Sequence, residues 1–109
     1  MSQVDIDRRV NKRFDLPCPV IVIDGEGREL LRGRTTNVSD GGALLPAARL
    51  LPLGQDVHAN LRVPRRTSNT FMYEDFFAAA RVVRHQADAP GSPALAIQFT
   101  QPVRLQLDA

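Results

Sequence analysis

Two short stretches of this 109-residue chain carry side chains suited to gripping a ligand. The first is Arg8-Arg9-Val10-Asn11-Lys12-Arg13, a basic arm. The second is Asn37-Val38-Ser39-Asp40-Gly41-Gly42, a polar turn between apolar runs. Arginine presents a planar fork of donors that fits phosphate oxygens and the O6/N7 edge of guanine. Arg9 and Arg13 lie four apart. In an extended arm they reach opposite sides of one ligand, and in a helical turn they share a face. The turn offers a side-chain amide, a hydroxyl and glycines that let backbone approach closely. Successive amides in such a turn can also cup an anion. Each stretch has a plainer reading, a solvated tail and a self-bonded Asx-type turn. The two together are more specific than either.

Catalysis is poorly served. His58 and His85 have no nucleophile or metal ligand at useful spacing. Glu74 and Asp75 are adjacent, so on a strand they point to opposite faces and cannot act as a carboxylate pair. Phosphate loops, dinucleotide fingerprints and nucleophile elbows are missing. We therefore expect a protein that is not an enzyme, with no catalytic residues, no metal and no cofactor. Cys18, the lone cysteine, reads as a small buried hydrophobe between Pro17 and Pro19.

The net charge is only +2, too small for a nucleic-acid coat, and Lys12 is the only lysine among 14 basic residues. Apolar residues make up 43% and charged residues 24%, values of a globular domain. No apolar run approaches the roughly 20 residues of a membrane span. The start of the chain lacks the features of a signal peptide. A cytoplasmic protein is the expectation.

The elements that would hold these residues are strands. Val20 to Ile23 is β-branched and runs into Asp24-Gly25-Glu26-Gly27, a hairpin turn. Residues 29–36 form the return strand, and Ala43-Leu44-Leu45 a short one stopped by Pro46. Leu50-Leu51-Pro52-Leu53 reads as a turn with its leucines folded inward. Val57, Ala59, Leu61 and Val63 alternate with polar residues, the clearest period-2 pattern in the chain. Residues 71–85 read as a long strand, bent or bulged near Glu74 and Asp75, although their alanines also permit a helix over 73–84. Leu95, Ile97 and Phe99 form the last strand. The pattern predicts an all-β domain, a six-stranded antiparallel barrel with little or no helix. A flexible basic arm spans 1–15, the barrel 16–102 and a C-terminal tail 103–109.

With both motifs in order around this strand pattern, the sequence resembles the PilZ domain family of bacterial cyclic di-GMP receptors. Arg9 to Arg13 matches that family's RxxxR arm and residues 37–42 its D/NxSxxG turn. The segment from Pro46 to Gly54 and the strand at 57–63 also sit where the family has them. The resemblance spans roughly residues 8–100. It implies that Arg9 and Arg13 bind phosphates and guanines, and that Asn37 meets a guanine edge. Ser39 would contact a phosphate or base, and Gly42 would permit close approach. Arg8 fits the doubled arginine of members that take a ligand dimer. The resemblance further implies cyclic di-GMP as ligand and an unidentified downstream protein partner, in a motility or biofilm pathway. It implies neither DNA binding nor a membrane span, and a monomer or weak dimer. Alanines replace a glycine-containing motif in the last strand, and the family's C-terminal helix is short or missing.

Two other readings compete. A small barrel binding single-stranded nucleic acid would need aromatic platforms. Most of the aromatics, 6% of the chain in all, lie near residues 71–77 and 99, far in sequence from the arm. An adaptor that keeps the fold and binds only protein is the other.

Overall fold

A computed structural model describes residues 13–89, 91–101 and 103–107. Arg8, Arg9 and most of the predicted arm fall outside them.

Every described element is a strand: β1 (Pro19–Ile23), β2 (Glu29–Arg34), β3 (Asn37–Ser39), β4 (Gly42–Pro46), β5 (Asp56–Arg66), β6 (Phe71–Ala89) and β7 (Ser92–Phe99). They form one antiparallel sheet in the order β2-β1-β5-β6-β7-β4-β3. The all-β expectation holds. The six-stranded closed barrel does not, because the sheet has seven strands and no ladder joins its edges, β2 and β3. The extra strand is β3, carved out of what the sequence presents as a turn. Closure needs a continuous ladder. Here Thr35 and Thr36 carry the chain from one edge to the other. The Thr35 N–H donates to the Cys18 carbonyl (3.0 Å) and the Thr36 N–H to that of Leu44 (2.7 Å). The sheet therefore curls around its core without sealing.

Alternation explains the core. Val57, Ala59, Leu61 and Val63 of β5 point inward, opposite Ala78, Ala80 and Val82 of β6. Val20 and Val22 of β1 and Leu95, Ile97 and Phe99 of β7 complete the lining. Thr35 is the exception, a buried hydroxyl (3% exposed) that accepts from Cys18 N–H (2.9 Å) and donates to the Leu16 carbonyl (2.6 Å). Both hydrogen-bonding capacities are used, so burial is tolerated. Cys18 is fully buried beside it, and that burial pushes its thiol pKa up.

The β1–β2 turn is built as predicted. Gly27 takes φ 85°, and Asp24 Oδ1 accepts from Glu26 N–H (2.8 Å) and Arg28 N–H (2.9 Å). Those bonds, the Arg28 amide first, hold the Asp24 carboxyl below the usual carboxylate range. Of the leucines predicted to fold inward near residue 50, only Leu51 is buried; Leu50 and Leu53 are exposed.

Strand β6 resolves the helix alternative, since it pairs with β5 along residues 71–81. The bulge is not at Glu74 and Asp75, which pair in register with Val63 and Arg62. It lies between Val82 and Arg84, where Val82 faces Ile97 and Arg84 faces Ala96.

The segment predicted as a tail packs on the domain. Leu105 is fully buried in the main core, with Val103 and Leu107 partly buried against it. Its carbonyl and that of Gln106 both accept from the Arg65 guanidinium. No helix forms over residues 103–107.

Candidate functional site

The polar turn is a hairpin. Strands β3 and β4 pair as Asn37 with Leu44, Val38 with Ala43 and Ser39 with Gly42, leaving Asp40 and Gly41 as the loop. The hydroxyl of Ser39 accepts from Gly41 N–H at 3.1 Å, a local turn contact that consumes one amide of the expected anion cup. Ser39 is nearly buried. The cup reading therefore gives way to a self-bonded turn at this position.

Three further bonds fix the loop from outside. The Gly41 carbonyl accepts from Phe99 N–H (2.8 Å) and the Asp40 carbonyl from Val103 N–H (3.3 Å). The Asp40 carboxylate accepts from Leu105 N–H (2.8 Å). The loop is thus tied both to β7 and to the C-terminal segment.

Gly42 has a steric reason to be glycine. A Cβ there would overlap the carbonyl oxygen of Ile97 and press on Gln98 Cα. The close approach that Gly42 permits is that of β7, its ladder neighbour.

The arm enters beside this hairpin. Phe14 bridges Val38, each N–H donating to the other's carbonyl (2.8 and 2.9 Å). The open edge of β3 is covered, and Arg13 is delivered to the hairpin. A cleft of about 250 Å³ results. Arg13, Asn37, Ser39, Gly41 and Gly42 line one part of it, and Leu44, Ala96, Val83, Arg84 and Gln98 are among the other residues around it. Four of the six predicted site residues are therefore neighbours in space: Arg13, Asn37, Ser39 and Gly42. Arg8 and Arg9 lie outside the described residues.

Arg84 and Gln98 are cleft residues that the sequence reading missed. In strict alternation Arg84 would follow buried Val82 inward. The bulge makes Val83 the extra residue and leaves both Val83 and Arg84 exposed. Arg84 Nε donates to Gln86 Oε1 at 3.1 Å, holding the guanidinium along the strand. A second cation thus joins Arg13. Ala96 pairs with Leu44 across β4 and β7, so the alanines of the last strand keep this floor low.

The candidates set aside earlier have the following neighbours. His58 stacks on Phe77, and His85 Nε2 meets the Leu51 carbonyl at 2.6 Å. Glu74 pairs with Arg65 and Asp75 with Arg62, each at 3.0 Å. Among the described residues no group of acidic, histidine or cysteine side chains could hold a metal.

The sequence pattern of the PilZ domain matches residues 7–108. The chain belongs to the PilZ domain family. No curated protein sequence matches it. Among solved structures it is similar to the Bacillus subtilis inhibitor of motility (MotI/DgrA), with a TM-score of 0.73 at 19% identity. That match covers 88% of this chain and 44% of the other, so this PilZ domain spans under half of the Bacillus protein. It is also similar to the PilZ domain of YcgR from Escherichia coli, a structure with c-di-GMP, at TM-score 0.52 and 16% identity. There 86% of this chain and 79% of the other are covered. At these identities both likenesses establish a shared fold.

Proposed function

We propose that this PilZ domain is a non-enzymatic receptor for cyclic di-GMP that closes its arginine arm over the ligand and signals to a partner protein. The observation that carries this reading is the meeting of Arg13 with Asn37 and the β3–β4 hairpin in one cleft. The cleft, about 250 Å³, is smaller than the roughly 300–1,000 Å³ usual for small-molecule sites. It suits one half of a dinucleotide, with the arm supplying the other wall.

In this mechanism the hairpin is the fixed part. Asn37 meets a guanine edge and the Ser39 hydroxyl, its lone pair committed to Gly41, donates its proton to a phosphate or base oxygen. Gly42 lets β4 seat against β7 so that both side chains stand in register. Arg9 and Arg13 take the phosphates and guanine O6/N7 edges, and Arg8 serves a second, intercalated ligand. Ordering an arm costs about 1–2 kcal/mol per residue, so bidentate arginine contacts must exceed that sum. The receptor needs no cofactor or metal and works in the cytoplasm as a monomer or weak dimer.

Amide chemical shifts during addition of cyclic di-GMP test the site. Changes concentrated at Asn37, Ser39, Gly42 and the arm support it. Changes elsewhere, with these residues still, overturn it.

A further inference from the structure

The opposite part of the sheet carries a feature the cyclic di-GMP reading does not use. On the outer face, ladder partners form a row: Arg32 of β2, Ile21 of β1, Asn60 of β5 and Phe77 of β6. Phe77 is 63% exposed, with the His58 ring stacked parallel to it at 5.3 Å. Two and three ladder steps on, Tyr73 and Phe71 are also exposed, and the Arg66 guanidinium lies 5.7 Å over the Phe71 ring. A second cleft, about 270 Å³, opens between Ile21, Arg32, Asn60 and Arg62. The Asn60 Oδ1 is shut off from solvent there and accepts no hydrogen bond from the described residues. A buried acceptor without a donor is unfavourable, so a partner that draws the amide round into the cleft and supplies a donor relieves it.

We propose that this face docks a partner protein through an apolar segment that carries carboxylates. Exposed aromatic rings beside arginines are the composition of binding hot spots. The charge fixes the sign of the partner. Arg32 and Arg62 are already paired with Glu29 (2.6 Å) and Asp75 (3.0 Å), and Arg66, with no acidic partner among the described residues, adds one positive charge. A second copy of this chain brings no surplus of carboxylates, since Glu29 and Asp75 are already paired with Arg32 and Arg62. A single nucleic-acid strand fits badly too. The Asp75 carboxylate interrupts the aromatic row, and the Phe71 and Tyr73 rings cross at 80° and so offer no parallel stacking planes. A peptide whose side chains cover Phe77 can offer a backbone N–H to the Asn60 amide once that amide turns into the cleft.

The test is selection from a display library of random short peptides on the full chain, with no nucleotide added. It reads this face whether or not cyclic di-GMP binds the other cleft. Enrichment of peptides pairing aromatic or aliphatic residues with Asp or Glu is expected. The best of them should shift the Asn60 and Phe77 amides and lose about tenfold in affinity against Phe77→Ala and Arg62→Glu. Both side chains are exposed, so both variants should keep the fold. Enrichment of basic peptides or of none overturns the proposal. So does binding that spares both variants. Displacement of the peptide by oligothymidylate would assign the face to nucleic acid, and a dimer abolished by Phe77→Ala would assign it to a second copy.

Discussion

Phe14 and Val38 exchange two backbone hydrogen bonds, 2.8 and 2.9 Å long, and so hold the root of the arm against the edge of the hairpin. Arg13 is the next residue toward the N-terminus. The pair fixes Arg13 near Asn37 and Ser39.

Gly42→Ala should destabilise the domain by about 1–3 kcal/mol, the usual cost of forcing a methyl into a filled site. Ile97 carbonyl, the atom it would strike, is ladder backbone and cannot swing away as a side chain could. Thermal unfolding measures this. An unchanged midpoint would show that β7 does not require the glycine.

Thr35→Val should cost about 1–3 kcal/mol, because the Cys18 N–H and Leu16 carbonyl lose a buried partner. Thr35→Ser keeps the hydroxyl and should recover most of it. Denaturant unfolding of the two variants separates hydroxyl from methyl. Equal losses would place the effect in packing.

Asp40→Ala should loosen the C-terminal segment, since the carboxylate holds Leu105 N–H at 2.8 Å. Hydrogen exchange at the Leu105 amide should quicken, with Asp40→Asn intermediate because its carbonyl still accepts. Leu105→Ala, cutting into the core, should cost about 2–5 kcal/mol. An unmoved Leu105 amide in Asp40→Ala would contradict the tie.

Cys18 gives the pH dependence. Burial raises its pKa in the folded state, so folding favours the neutral thiol. That contribution is present below the unfolded value, about 8.5, and is lost as pH rises through the higher folded value. Denaturant midpoints should fall between pH 8 and 10 more steeply in wild type than in Cys18→Ala. Iodoacetamide should label the thiol only after unfolding. Parallel slopes would remove the assignment.

Much of the fold was legible because alternation is a direct consequence of strand geometry. Residues 57–63 of β5 show it unbroken. Strand β3 was hidden because its three residues are too few to display a period, and its polar ends read as a turn. Arg84 was hidden because a bulge resets alternation, and nothing in Val82-Val83-Arg84 marks one. The C-terminal segment was hidden because Val103, Leu105 and Leu107 alternate over too few residues to stand out and join no ladder; core burial and the contacts with Asp40 and Arg65 give Leu105 its place. Arg13, Asn37, Ser39 and Gly42 were legible as a group because their spacing matched a family pattern. The turn bond was not legible: Ser39 Oγ accepts from Gly41 N–H, which uses the hydroxyl's acceptor side and leaves its proton to donate.

The central claim is that arm and hairpin form one site for cyclic di-GMP. Calorimetric titration of the full chain with cyclic di-GMP, beside Arg9→Ala and Arg13→Ala, tests it most directly. The account predicts saturable heat for the wild type and loss of most affinity in each variant, with unfolding midpoints unchanged. A folded wild type that releases no heat at high micromolar ligand would contradict it.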